Sequence, residues 1–268
     1  MFVELSNILS RGTGATEQQQ QGKLVLLIDS NTDGSFLVHH HLSASLKANR
    51  KVCFLGFAQS FSHYSSVAQK MGVSLAAAKE QGQLVFLEGL KSSLELLSAE
   101  DTAAEKSHPL QFLSFPSADM KSLYDYVQSS LLQVVGSEWK EPVLIIDDLS
   151  ILLSLGLSTG HILDFIHYCR ASICLRLKGD MVALVHSDDQ QDEENELLVK
   201  WLHHQSSLVI QAEGLSTGYC KDIHGQVKIT WREPPQTAFG SDVTELYQYK
   251  LLDKNVSFFA RGTSAAVL

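Results

Sequence analysis

Lys23-Leu24-Val25-Leu26-Leu27-Ile28-Asp29-Ser30-Asn31-Thr32-Asp33-Gly34-Ser35-Phe36 decides the fold. Leu24 to Ile28 is an unbroken apolar run, too short for a helix. A strand with no polar alternation is buried on both faces, as in a parallel sheet. Phe36 to Leu46 then reads as a helix, closed by Lys47, Ala48, Asn49 and Arg50. Strand, short polar turn and helix form half of a βαβ unit.

The same unit recurs outward from this stretch. Lys51 to Phe57, Leu84 to Leu87, Pro142 to Asp148 and Met181 to Val185 read as further buried strands. Tyr64 to Met71, Met120 to Val135 and His161 to Leu177 carry helical spacing, and Gly72 is the expected stop of the first. Alternation of this kind predicts an α/β fold, a mainly parallel sheet flanked by helices. Ser207 to Ile210, Val227 to Trp231 and Tyr247 to Phe259 lack helices between them. They are expected as antiparallel C-terminal strands, with turns at His224-Gly225 and Asp253-Lys254-Asn255. A single domain over 1–268 is expected, with 10–21 and 98–108 as flexible loops.

Bulk composition narrows the function classes. The 268 residues are 44% hydrophobic, enough for one sizeable core. No apolar run reaches the ~20 residues of a membrane span. Met1 to Asn7 has no basic cluster and does not read as a leader, which points to a soluble intracellular protein. The net charge of −9 argues against solitary nucleic-acid binding and toward protein partners. Cys53, Cys169, Cys174 and Cys220 form no C-x-x-C pair and read as reduced core thiols.

The turn from Asp29 to Phe36 has the spacing of a phosphate loop, G-x-x-x-x-G-K-[ST], but only Gly34 matches. Asp29 stands at the first glycine, Ser35 at the lysine and Phe36 at the Mg²⁺-binding hydroxyl. Asp33 adds a second acid. A carboxylate beside a bound phosphate repels it by roughly 4 kcal/mol per charge pair at ~4 Å and an effective dielectric of ~20. Losing the lysine compounds that cost. An ordinary strand-to-helix turn explains the same residues. The run Val143 to Asp148 resembles the strand whose terminal acid serves Mg²⁺ in phosphate-loop ATPases. Without lysine and hydroxyl, Asp147 and Asp148 have no Mg-ATP to serve, and are expected to cap the segment that begins at Leu149-Ser150.

Other clusters carry less. His39, His40 and His41 point about 100° apart on a helix and cannot share one metal; one is expected to face the core and two the surface. Asp188, Asp189, Asp192, Glu193, Glu194 and Glu196 read as a solvated loop. Lys47, Arg50 and Lys51, and likewise Lys221, Lys228 and Arg232, read as solvated surface clusters. Ser35 with His39 lacks the orienting acid of a nucleophile. No catalytic residue, cofactor or metal site is expected.

Several longer blocks resemble one family. They are Met1 to Leu5, Thr32 to His40, Gln59 to Tyr64, Gly82 to Leu90, Leu163 to Arg170 and Val256 to Ala260. They look like the sixth-subunit family of the animal Elongator complex, nearly end to end. The resemblance implies a RecA-like fold without working ATPase motifs. It also implies a hexameric ring with two copies each of the fourth, fifth and sixth Elongator subunits, which binds tRNA and joins the remaining subunits. That complex modifies the wobble uridine (U34) at carbon 5, on another subunit. On this reading Asp29, Asp33, Gly34, Ser35 and Phe36 are a degenerate phosphate loop, and Asp147 and Asp148 a degenerate acidic strand end. The expected location is cytoplasmic, with the nucleus second. The enzyme alternative is an atypical RecA-like ATPase with a rearranged loop and a lysine or arginine supplied from elsewhere, from Lys23 or from a partner subunit. A third alternative is a DNA-binding recombination accessory, against which the acidic run argues.

Overall fold

In the computed structural model, residues 2–11, 22–98, 108–114, 120–132, 139–187, 192–215, 218, 220–232 and 242–260 are described. Helix α1 spans Val3–Arg11 and strand β1 Leu24–Ser30, followed by α2 (Ser35–Lys47) and β2 (Arg50–Gly56). Next come α3 (Phe61–Lys70), α4 (Leu75–Glu80), β3 (Leu84–Glu88) and α5 (Gly89–Ser98). They lead to α6 (Lys121–Leu132), β4 (Lys140–Ile146), α7 (Ser150–Ser154) and α8 (Thr159–Arg170). After a π-helical turn at Ala171–Arg176 come β5 (Asp180–His186), α9 (Glu193–Gln205), β6 (Leu208–Gly214), β7 (Gly225–Trp231), β8 (Val243–Leu251) and β9 (Val256–Ala260).

The strands form one sheet in the order β3-β2-β4-β5-β1-β6-β7-β8-β9. The first six of these are parallel, and β6 to β9 pair antiparallel. Strand alternation sorts the core into two layers. Val25, Leu27, Val143, Ile145, Val182 and Leu184 pack with α1 to α4 on one face. Leu24, Leu26, Leu144, Ile146, Met181 and Ala183 pack with α6 to α9 on the other. Unbroken apolar runs were needed because the central strands are covered twice.

Three expectations are corrected. Ser207 to Ile210 is antiparallel on one side only: β6 pairs antiparallel with β7 but parallel with β1, with Val25 opposite Leu208, and a helix precedes it. That helix, α9, takes Glu193, Glu194 and Glu196 out of the expected loop and into its first turn, where Asp192 accepts the Asn195 N–H at 2.9 Å. Acids there oppose the positive end of the helix dipole. Asp188 and Asp189 lie outside the described residues. Third, the N-terminus is helical to Arg11: Phe2, Leu5 and Ile8 enter the core, and the Glu4 carboxylate accepts the Phe258 N–H of edge strand β9 at 2.7 Å. Of the two expected loops, 12–21 and 99–107 lie outside the described residues, while Ser98 ends α5. Gly72 does end its helix, with φ +75°.

The turn after β1 is pressed onto the sheet by a small residue. A Cβ built on Gly214, at the end of β6, would stand 2.3 Å from the Asn31 carbonyl oxygen. That neighbour is backbone and cannot step aside. Gly214→Ala is therefore expected to cost about 2 kcal/mol by overpacking, read as a lower urea midpoint at unchanged slope.

Candidate functional site

The parallel register brings the C-terminal ends of β1, β4 and β5 side by side. Asp29 pairs in register with His186, and Ile146 with Ala183. Each strand ends its apolar run on a titratable residue, so three such groups converge where an α/β sheet ordinarily binds ligands.

Asp29 is fully buried. Its Oδ2 accepts the Gly34 N–H at 2.8 Å, at the residue that caps α2, and its Oδ1 accepts from His186 Nδ1. The other ring nitrogen, Nε2, lies 2.8 Å from Asp148 Oδ2. A ring with a carboxylate on each nitrogen must donate from both, so it is an imidazolium. Those bonds, to Asp148 first and then Asp29, raise its pKa to about 10 against the effect of burial. Asp148 Oδ1 also accepts the Ser150 N–H at 2.8 Å, which meets the capping expectation for this acid. Ser150 Oγ in turn accepts the His186 N–H at 3.0 Å and donates to Asn195 Oδ1, and Asn195 Nδ2 donates to the His186 carbonyl at 2.6 Å.

Asp147 turns to the opposite neighbour. Its Oδ1 accepts the Phe57 N–H at 2.7 Å, and its Oδ2 accepts the Ala58 N–H at 3.0 Å and the Tyr64 hydroxyl at 2.8 Å. Burial raises its pKa to about 6, and the three donors restrain that rise. The acid thus ties the end of β4 to the loop after β2 and to α3. It does not cap the segment from Leu149 onward.

The remaining loop residues are occupied as well. Asp33 is exposed, and its Oδ1 accepts the Ser35 N–H at 2.8 Å. Phe36, at the Mg²⁺-hydroxyl position, is buried against Tyr249 with ring centroids 5.0 Å apart. Thr32 Oγ1 lies 2.8 Å from the Tyr249 hydroxyl, strapping the turn to β8. A Cβ on Gly34 would stand 2.7 Å from Asp29 Cβ, so the glycine makes room for that acid.

Some of the other clusters settle differently from their expectations. His39 and His40 are both buried, where one was expected to be. The His40 Nδ1 accepts the Phe2 N–H at 3.1 Å, and His39 packs on Tyr64 with centroids 5.1 Å apart. His41 is half-buried, with its Nε2 enclosed and without a hydrogen-bond partner among the described residues. Burial holds His39 and His41 down at about 4. Lys47, Arg50 and Lys51 are structural struts. Lys47 donates to Met71 O at 2.7 Å, Lys51 to Gly82 O, and Arg50 pairs with Asp180 at 2.6 Å. Arg232 donates to His203 O at 2.5 Å, whereas Lys221 and Lys228 are exposed. Cys53, Cys169 and Cys174 are buried free thiols, and Cys220 is free and half-buried. Among the described residues no group of three or more His, Cys, Asp or Glu is arranged for a metal, and no helix is long and apolar enough to cross a membrane.

His186 carries no local signal beyond a polar residue closing an apolar strand, as Asp29 and Asp147 do. Only the strand order reveals its neighbours.

Residues 2–253 match the family model described as Elongation complex protein 6. The chain is 56% identical to Elongator complex protein 6 of Homo sapiens and 54% to that of Xenopus laevis, over 100% of both chains in each case. It is 25% identical to that of Dictyostelium discoideum, over 90% of this chain and 91% of the relative. Among solved structures, an uncharacterized Pyrococcus horikoshii protein superposes with TM-score 0.61 at 12% identity, covering 96% of this chain and 98% of that one. A KaiC-like protein of the same organism gives TM-score 0.52 at 12% identity, covering 89% and 90%. The fold is RecA-like: a mostly parallel sheet flanked by helices, with antiparallel strands at its C-terminal side.

Proposed function

The chain belongs to the Elongation complex protein 6 family, and on that premise we propose that it is a non-catalytic Elongator subunit. It forms a RecA-like hexameric ring with the fourth and fifth subunits, two copies of each of the three. The ring contacts tRNA and supports carbon-5 modification of wobble uridine 34, in the cytoplasm and secondarily the nucleus. Asp29, Asp33, Gly34, Ser35, Phe36, Asp147 and Asp148 are the remnant of a nucleotide site whose fold is kept because it builds the ring.

One observation carries the pseudo-ATPase part. The His186 imidazolium lies between Asp29 and Asp148, so the one cation at the site is already shared by two acids, and the cluster as a whole stays negative toward a phosphate. Asp147 is likewise committed to Phe57, Ala58 and Tyr64. The cation that a rearranged ATPase would need does not come from Lys23. That residue precedes β1, about 20 Å from Asp29 at ~3.3 Å per residue, and its N–H donates to Asp180 at the opposite end of the sheet.

A tagged chain purified from cells should bring the fourth and fifth Elongator subunits with it; their absence would refute the ring. Calorimetry on the lone chain should detect no low-micromolar Mg-ATP binding, and tight binding would refute the pseudo-site.

A further inference from the structure

The position of the Asp29 carboxylate matters more than its presence. A phosphate loop binds its ligand with backbone N–H groups at the start of the helix after the loop, where the helix dipole also favours an anion. Here that helix is α2, thirteen residues long, and the N–H of its capping residue Gly34 points at Asp29 Oδ2 at 2.8 Å. The second oxygen of the same carboxylate takes the Nδ1 proton of His186. Asp29 therefore sits as a buried anion between a helix N-terminus and a cation, the two partners an external phosphate would use.

The close fit around it argues for an adapted contact. Gly34 has φ −85°, a conformation open to any residue, yet its missing Cβ leaves the space that Asp29 Cβ and Oδ2 occupy. His186 is held on its other side by Asp148 Oδ2 at 2.8 Å, and its own N–H and carbonyl are fixed by Ser150 and Asn195. The charged groups bonded to the ring are thus Asp29 from β1 and Asp148 from the end of β4, both acids.

We propose that the turn after β1 is a self-filled phosphate site, in which the Asp29 carboxylate is a built-in anion occupying the backbone donor at α2 and His186 is the latch that keeps it there. The contact is autoinhibitory: an incoming phosphate must first displace a buried carboxylate from two donors. Removing that carboxylate frees the Gly34 N–H while His186 stays paired with Asp148. This rests on reading the turn as a nucleotide-site remnant. It is tested apart from ATP turnover, because inorganic pyrophosphate probes the donor alone.

Pyrophosphate is titrated calorimetrically into the full chain, and into Asp29→Gly and Asp29→Ala, which leave no side-chain acceptor for the Gly34 N–H, with circular dichroism confirming the fold of each. Wild type should give no saturable binding up to millimolar pyrophosphate, and the folded variants should bind at least tenfold tighter. Wild-type binding equal to that of either folded variant would overturn the proposal. A second readout needs no change at Asp29. In His186→Ala the Gly34 amide should exchange with solvent at least tenfold faster than in wild type, and unchanged protection would equally overturn the latch.

Discussion

Lowering the pH from 7 to 4 should remove at least about 3 kcal/mol of folding stability. His39 and His41 are held at about 4 in the folded chain, chiefly by burial, against an ordinary 6.5. Between those values the unfolded chain binds protons that the folded chain does not, so stability falls as the pH drops through the window. Each histidine contributes about 3 kcal/mol to that loss at 1.36 kcal/mol per pKa unit. Asp147 acts in the opposite direction. Its pKa rises from 3.8 to about 6, so the folded chain takes up a proton first and gains about 2 kcal/mol over the same range. The two histidines outweigh the one acid, and His40, also pushed down by burial, adds to their side. His186 enters this balance only slightly, because a histidine raised to about 10 keeps its whole contribution below 6.5 and loses it progressively between 6.5 and 10. Urea midpoints at pH 7 and 4 measure the effect. The double variant His39→Phe, His41→Phe should lose most of it. Equal wild-type stability at the two pH values would show that these rings are not held neutral.

Asp147→Ala should destabilise the fold by about 3 kcal/mol without altering any ATP turnover of the proposed ring. The substitution strands the Phe57 and Ala58 N–H groups and the Tyr64 hydroxyl, all of which lose a charged acceptor. Relief of a costly buried carboxylate offsets part of that loss. Tyr64→Phe removes only one of the three bonds and should cost about 1 kcal/mol. The ranking separates a strut from a catalytic acid. Chemical denaturation reads the stability, and phosphate release by the chain mixed with its proposed partner subunits reads turnover. A fall in turnover with Asp147→Asn at unchanged stability would return this acid to catalysis.

Local patterns in the chain were legible, and pairings across the sheet were not. Leu24 to Ile28 and Val143 to Ile146 announce buried parallel strands because both of their faces are covered. Gly72 announces a helix end because few other residues accept its φ. The helix at Glu193–Gln205 was hidden by its own surface. Leu198 and Leu202 face the core, but Leu197 and Trp201 are exposed beside them, which blurs the 3.6-residue period, and the acids before them look like a loop. Missing that helix hid the parallel pairing of β6 with β1 and left only its antiparallel pairing with β7 in view. At α1 the signal was present, since Phe2, Leu5 and Ile8 recur every three residues, but a polar stretch lies directly after it. His186 is a different case. It lies 157 residues from Asp29, and no local pattern encodes a pairing set by strand order.

That strand order also dictates a timetable for biosynthesis. β1 is the first strand to leave the ribosome, yet its neighbours in the finished sheet are β5 and β6. Val25 finds Leu208 only after 183 further residues, which at 5–20 residues per second is roughly 10 to 40 s of translation. Its β5 margin can close once Val182 appears, 157 residues after Val25, but its β6 margin stays open until Leu208. Even α1, made before it, waits longer for its last contact: Glu4 meets Phe258 across 254 residues. The nascent chain therefore spends most of its synthesis needing a protected Leu24 to Ile28, and a ribosome-bound chaperone would find its natural client there.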